Sequence, residues 1–305
     1  MTAEALPAAR ALARRRTRVA AYVALTKPRI IELLLVTTLP AMLLAARGWP
    51  STGTVVATLV GGTAAAGCAN AFNCVLDRDI DERMRRTSRR PLPRTEVSPA
   101  GAATLAAVLG VASLLLLAVT TTVLATALTA AAILIYVVGY TMVLKRRTPS
   151  NIVWGGAAGC LPTLIGWAAV TGSLSWSAVL LFLIVFFWTP PHFWALAMRF
   201  RDDYAAAQVP MLPVVAAPSA VVSRMQRYTW AMVATSLALW PVAGAGPLYG
   251  VAAIGLGGYF VRKVHLLGVA VRTEGPVRPM PVFHASITYL SCLFAALGID
   301  VFLHR

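Results

Sequence analysis

The sequence predicts an all-α integral membrane protein of nine transmembrane helices, and three observations predict it. Of 305 residues, 58% are hydrophobic and only 12% charged, with a mean hydropathy of +0.73, which is too apolar for an ordinary soluble domain. Apolar runs long enough to cross the hydrocarbon core as helices, about 20 residues each, recur from residue 28 onward. The basic residues alternate with these runs. Of the 27 Lys and Arg, all but Arg47 and Arg305 fall on every second connection or beside it, the division expected when helices cross alternately and cations stay in the cytoplasm. The net charge of +16 is therefore a mark of topology and gives no support to nucleic-acid binding. The N-terminus is expected in the cytoplasm and the C-terminus on the opposite side.

Residues 1–25, with Arg10, Arg14, Arg15, Arg16 and Arg18, read as a cytoplasmic basic tail, and 26–305 as one transmembrane domain. Span one, 28–46, opens behind Lys27, Pro28 and Arg29 and carries Glu32, expected to face the bundle interior. Span two, 53–76, runs directly into "NCVLDRDID". If the helix continues through residue 81, each residue turns by about 100° and Asn73, Asp77 and Asp81 fall within roughly 80° of one another. Asp79 then points away, toward Arg78 or Arg83. Carboxylates at fourfold spacing repel each other. They either pair with the arginines that follow, as a solvated helix end, or gather a hard divalent cation such as Mg²⁺, which takes oxygen ligands and shares its shell with substrate phosphates. The aligned triplet at a membrane edge favours the cation. In the following "ERMRRTSRRPLP", Arg90 is fixed before a proline, and a guanidinium recognises phosphate oxygens in bidentate fashion.

Spans three and four, 100–118 and 121–143, lead to Lys145, Arg146 and Arg147, cations within reach of a diphosphate bound on that face. Span five covers 151–171. Span six, 175–198, contains Pro190 and Pro191, expected to kink it, then His192, which is either functional or a donor to a freed carbonyl. It delivers Asp202 and Asp203, 126 residues after Asp77 in the case of Asp203, a hint that spans one to four and five to eight repeat one unit. Spans seven to nine cover 228–245, 247–266 and 282–303, with Asp300 expected at the far interface. Cys68, Cys74, Cys160 and Cys292 lack paired spacing and read as small packing residues.

"NCVLDRDIDERMRRTSRRPLP" resembles the first signature of the UbiA-type intramembrane prenyltransferases, and "LTKPRIIELLLVT", "YTMVLKRRTPSNIVWGG", "FFWTPPHFWALAMRFRDDYAAAQVPMLPVV" and "SITYLSCLFAALGID" follow the haem-farnesylating branch of that family in the same order. The resemblance implies nine helices around a central cavity, with Asn73, Asp77 and Asp81 holding Mg²⁺. Asp203 and Tyr204 match its second motif, with Asp202 beside them, and Arg90, Lys145 and Arg146 match its diphosphate-binding positions. It implies a bacterial cell membrane and transfer of a farnesyl group from farnesyl diphosphate to a vinyl group of haem B. Haem A synthase or the assembly of a terminal oxidase would be the protein partner. Position 74 is Cys where many quinone-prenylating members have Asp, which separates the chain from that branch. Under the same resemblance His192, Glu32, Trp194, Trp188, Phe193 and Trp167 are candidates for the haem and prenyl pocket, although aromatics also anchor interfaces, and His284 receives no family role. A membrane haem carrier is the rival from another class, but transport would put the polar groups near the midplane.

Overall fold

The computed structural model describes residues 18–304, and no strand occurs among them. After a short helix α1, 18–25, come α2 (Pro28–Ala46), α3 (Thr52–Leu76), α4 (Arg78–Arg83), α5 (Pro99–Thr120) and α6 (Val123–Leu134), which widens into a π-helix over Ile135–Leu144. The second half holds α7 (Asn151–Gly155), α8 (Ala157–Thr171), α9 (Trp176–Arg199), α10 (Arg201–Ala206), α11 (Leu212–Val215), α12 (Pro218–Ala243), α13 (Pro247–Arg272) and α14 (Met280–Leu303). Side-chain oxygens start several of the long helices in the usual way: Ser51, Ser98, Thr122 and Ser175 accept from the backbone N–H three residues on. Gly172 and Gly244 end α8 and α12 with φ of 69° and 60°, a left-handed conformation that glycine adopts without strain.

Among the described residues, seven helices are long and apolar enough to cross a membrane. The other two of the nine expected spans are α2, whose apolar stretch Ile31–Ala46 is shorter, and α12, which begins ten residues earlier than expected and carries Arg224 and Arg227. Each of the nine long helices among the described residues packs on the next in chain order, and α14 closes the ring on α2. Within it, α2 and α8 also meet face to face, with Gly166 so close to α2 that a Cβ there would lie 2.9 Å from the Thr38 carbonyl.

The expected repeat has structural counterparts. The two most extensive interhelical contacts, α3–α5 and α9–α12, join corresponding helices of the two halves. Each of α3 and α9 is followed by a six-residue helix carrying the acidic residues, α4 and α10. The helices α2 and α8 each contain an internal proline, Pro40 and Pro162.

Several expectations need correction. Span two ends at Leu76, Asp77 turns with φ −96° and ψ 13°, and α4 restarts at Arg78. The stripe nevertheless survives, because Asp77 N donates to Asn73 O at 2.9 Å and Asp81 N to Asp77 O at 2.8 Å, carrying the fourfold register through the turn. Asp300 is buried, not interfacial: it accepts from Gly246 N at 2.5 Å and Tyr249 N at 3.2 Å, so its charge satisfies the first turn of α13. Cys68, Cys74 and Cys160 are buried packing residues, but Cys292 is exposed.

Candidate active site

The acids of the first motif converge at the junction of α3 and α4. Asn73, Asp77 and Asp81 are buried, with Asp77 at 0% exposure. A buried carboxylate needs a partner, and each has a cation from another part of the chain. Lys145, just past the π-helix, donates to Asp77 Oδ2. Arg90 Nη1 lies 2.8 Å from both oxygens of Asp81. Lys27, in the turn before α2, donates to Asn73 Oδ1 at 2.7 Å. The amide of Asn73 in turn donates to Asp77 Oδ2 at 2.6 Å and to Thr141 Oγ1 at 3.0 Å.

Asp79 points away from this group, as its helical position required, but its partner is neither Arg78 nor Arg83. Arg146 holds it with two hydrogen bonds of 2.7 Å, and that guanidinium pulls the carboxyl down to about 2. Arg146 also donates to Leu76 O at 2.9 Å, fastening the loop after the π-helix to the end of α3. Burial pushes the Lys27 ammonium down to about 8, with Arg90 and Lys145 adding repulsion. Burial works against the charge of Arg90 as well, but Asp81 more than offsets it and the guanidinium stays above its ordinary value.

The second motif is arranged differently. Tyr204 is buried, its hydroxyl accepting from Arg86 Nη2 at 2.5 Å. The same guanidinium lies over the rings of Phe200 and Tyr204, 5.1 and 4.8 Å from their centroids. Asp203 is half-buried and accepts from Arg86 N at 3.3 Å, whereas Asp202 is exposed. Ile80 and Met84 of the first motif pack with Tyr204, Ala207, Val209 and Met211, so α4 and α10 form one layer over the same end of the bundle.

Other expected site residues lie apart from this end. His192 is buried between Trp188 and Phe283, with ring centroids 4.2 and 4.6 Å away, and its Nδ1 is 2.7 Å from Ser286 Oγ, a hydroxyl in place of the freed carbonyl. Trp188 Nε1 donates to Ser286 O at 2.7 Å, so both side chains knit α9 to α14. Trp194 and Trp167 are buried, and the Trp194 Nε1 has no hydrogen-bond partner. Phe193 and His284 are exposed. Glu32 is exposed too, correcting the expectation that it faces the interior.

Lys27, Thr141 and Arg86 were not singled out from the sequence. Asn70 was also missed: it donates to Thr26 O at 2.9 Å and so holds the turn that aims Lys27. Its signal was legible, since it precedes Asn73 by three residues on one helical face. Arg86 had none, being one of five arginines between 83 and 90.

The residues fit a hard divalent cation. Their donors are carboxylate and amide oxygens, and Asp77 Oδ1 is buried without a hydrogen-bond partner, with Arg146 Nη2 at 3.9 Å. Among the described residues, no three His, Cys, Asp or Glu side chains are gathered as one metal-binding group. Asp77, Asp81 and Asp203 are therefore not gathered around one point. Cations and carboxylates side by side at a bundle end can receive a metal-bound polyanion: Lys145 and Arg90 stand on the acids and Lys27 on the Asn73 amide oxygen.

A model of the UbiA prenyltransferase family matches residues 34–287. A protoheme IX farnesyltransferase of Clavibacter sepedonicus is 60% identical over 281 residues, covering 92% of each chain. One from a Nocardioides species is 58% identical over 284 residues, covering 92% of this chain and 90% of its own. Among solved structures, a UbiA homologue from Aeropyrum pernix K1 superposes with a TM-score of 0.67 at 18% identity, covering 90% of this chain and 98% of its own. A homologue from Archaeoglobus fulgidus, bound to GPP and Mg²⁺, superposes with a TM-score of 0.65 at 16% identity, covering 92% and 99%. These two share the fold.

Proposed function

This chain belongs to the UbiA prenyltransferase family, and we propose that it farnesylates haem B to haem O, the reaction of a protoheme IX farnesyltransferase. The carrying observation is the buried Asn73, Asp77 and Asp81 group with its cations, in a chain 60% identical over 92% of its length to a relative of that name. In the reaction the allylic C1–O bond of farnesyl diphosphate breaks and diphosphate leaves with the electron pair. The vinyl π pair of haem B forms the new C–C bond. Water adds to the resulting cation and loses a proton, leaving the hydroxyethylfarnesyl group.

Asn73, Asp77 and Asp81 would hold one Mg²⁺ and Asp203, with Asp202, a second; the bound metal neutralises charge on the departing diphosphate. The chain's own cations do the rest of the electrostatic work. Arg90 and Lys145 turn from Asp81 and Asp77 to the diphosphate oxygens, and Lys27 and Arg146 border the same anion. Once these cations have turned to the bound diphosphate, little further reorganisation is needed as the bond ionises. Arg86 fixes the Tyr204 hydroxyl against the second motif. The apolar bundle below keeps water from the allylic cation, with Trp188, Trp194 and Trp167 as wall candidates.

Residues 26–305 form one such unit in this reading, set in a bacterial cell membrane with the site on the cytoplasmic face, the N-terminus inside and the C-terminus outside. The support is the confinement of nearly all Lys and Arg to one set of connections. The product would pass to a haem A synthase or to assembly of a terminal oxidase. Membranes carrying wild type, Asp77→Ala or Asp203→Ala, supplied with haem B, farnesyl diphosphate and Mg²⁺, should yield farnesylated haem from wild type and a strongly reduced amount from each variant. No product from wild type, or undiminished product from both variants, would sink the reading.

A further inference from the structure

We propose that Thr141 is a positioning residue for the metal-binding amide of Asn73, an inference that rests on the metal site proposed above. The buried amide has two N–H groups and one oxygen to satisfy. Its nitrogen serves Asp77 Oδ2 at 2.6 Å and Thr141 Oγ1 at 3.0 Å, and its oxygen accepts from Lys27 Nζ at 2.7 Å. Chemistry fixes which end is which: an ionised carboxylate only accepts and an ammonium only donates, so nitrogen must face Asp77 and oxygen must face Lys27.

Thr141 contributes through the direction of its single proton. That proton goes to Tyr136 O at 2.9 Å, five residues back, so the oxygen facing Asn73 is held as an acceptor. Threonines in α-helices return their hydroxyls three or four residues back, as Thr58, Thr126 and Thr129 do here. The five-residue reach belongs to the π-helix, a form that recurs at functional sites. The widened turn thus presents Thr141 as an acceptor beside Asn73, and Lys145 follows four residues later at the end of the same segment. With its nitrogen tied on two sides, Asn73 leaves only its oxygen for the arriving cation, in the place now taken by the Lys27 ammonium. Removing the hydroxyl frees one buried N–H and lets the amide turn its nitrogen toward the metal.

The test uses the full chain in lipid nanodiscs, with Mn²⁺ binding read by electron paramagnetic resonance in the presence of farnesyl thiodiphosphate. Thr141→Val should weaken Mn²⁺ binding about tenfold, the scale of a stranded buried donor, and Thr141→Ser should restore it. With Mg²⁺, the half-saturating metal concentration for turnover should rise in Thr141→Val while kcat at saturating metal changes little. If Asp77→Ala loses Mn²⁺ but Thr141→Val binds it as wild type does, the positioning role fails and the metal site stands. If Asp77→Ala binds as wild type does, the metal site itself fails. Equal weakening in Thr141→Ser and Thr141→Val would assign the loss to packing and overturn the proposal. Should the valine variant not fold, Thr141→Ala against Thr141→Ser makes the same comparison.

Discussion

The end of α3 and the end of α9 carry the same kind of side chain in corresponding places, yet the protein has finished one and left the other open. Asp77 and Asp81 are buried, each against a cation brought from another element. Asp203 is half-buried with one backbone N–H, and Asp202 is exposed. Burying a carboxylate costs free energy that only a partner and further hydrogen bonds recover, so the first site is built into the fold, while the second adds almost nothing to it. The acids of the first motif are thus held by the packing of their end of the bundle, whereas those of the second keep few contacts of their own.

The largest expected effect breaks this asymmetry at its firm end. Asp77→Ala removes the hub shared by Lys145, Asn73 and the proposed metal, and haem O formation measured by pigment chromatography should fall on the order of a hundred- to a thousandfold. Next comes Lys145→Met, which strands the fully buried Asp77 carboxylate. The loss should reach roughly 3 kcal/mol, visible as a lowered thermal midpoint as well as lost activity. Asp203→Ala removes the main ligand of the proposed second ion and should reduce kcat/KM for farnesyl diphosphate on the order of tenfold to a hundredfold, the scale of lost charge stabilisation at a leaving group, and leave the thermal midpoint where it was. A large drop in that midpoint would show that the two ends are not different in kind. The smallest effect belongs to Asp202→Ala: the side chain is exposed, so the thermal midpoint should not move, and kcat/KM for farnesyl diphosphate should fall less than in Asp203→Ala.

The helices were legible in the sequence because hydropathy and charge alternation need only composition. The facing of side chains was less so. In a chain surrounded by lipid, interior and exterior are both apolar, so the amphipathic signal that orients a soluble helix is missing. On α5 the buried positions are Ala102, Ala106, Gly110, Ser113 and Leu117, while the large Val108, Val111, Leu115 and Val119 face outward. Size carried the information there more than polarity. The same blindness misplaced Glu32, Asp300 and Cys292. The stripe of Asn73, Asp77 and Asp81 was readable because fourfold spacing survives a turn that keeps the hydrogen-bond register. Arg90 and Lys145 were readable as cations of this site, but their pairing with Asp81 and Asp77 was not, nor was Lys27 at all: Lys27 and Lys145 reach the stripe across 46 and 68 residues, and no local pattern records such a meeting.

The ring of helices also has a bearing on synthesis. Neighbours in the ring are neighbours along the chain, so each helix can dock on its predecessor as it enters the bilayer, and the longest connections to close are those that carry α4 and α10. The exception is the seam between α2 and α14, the ninth long helix to leave the ribosome. Until then the sides of α2 and α9 that α14 will cover stay open to lipid, and Trp188 and His192 lack their partner Ser286. An unfinished chain therefore exposes polar atoms in the bilayer that the finished one hides, a difference by which membrane quality control could tell the two apart.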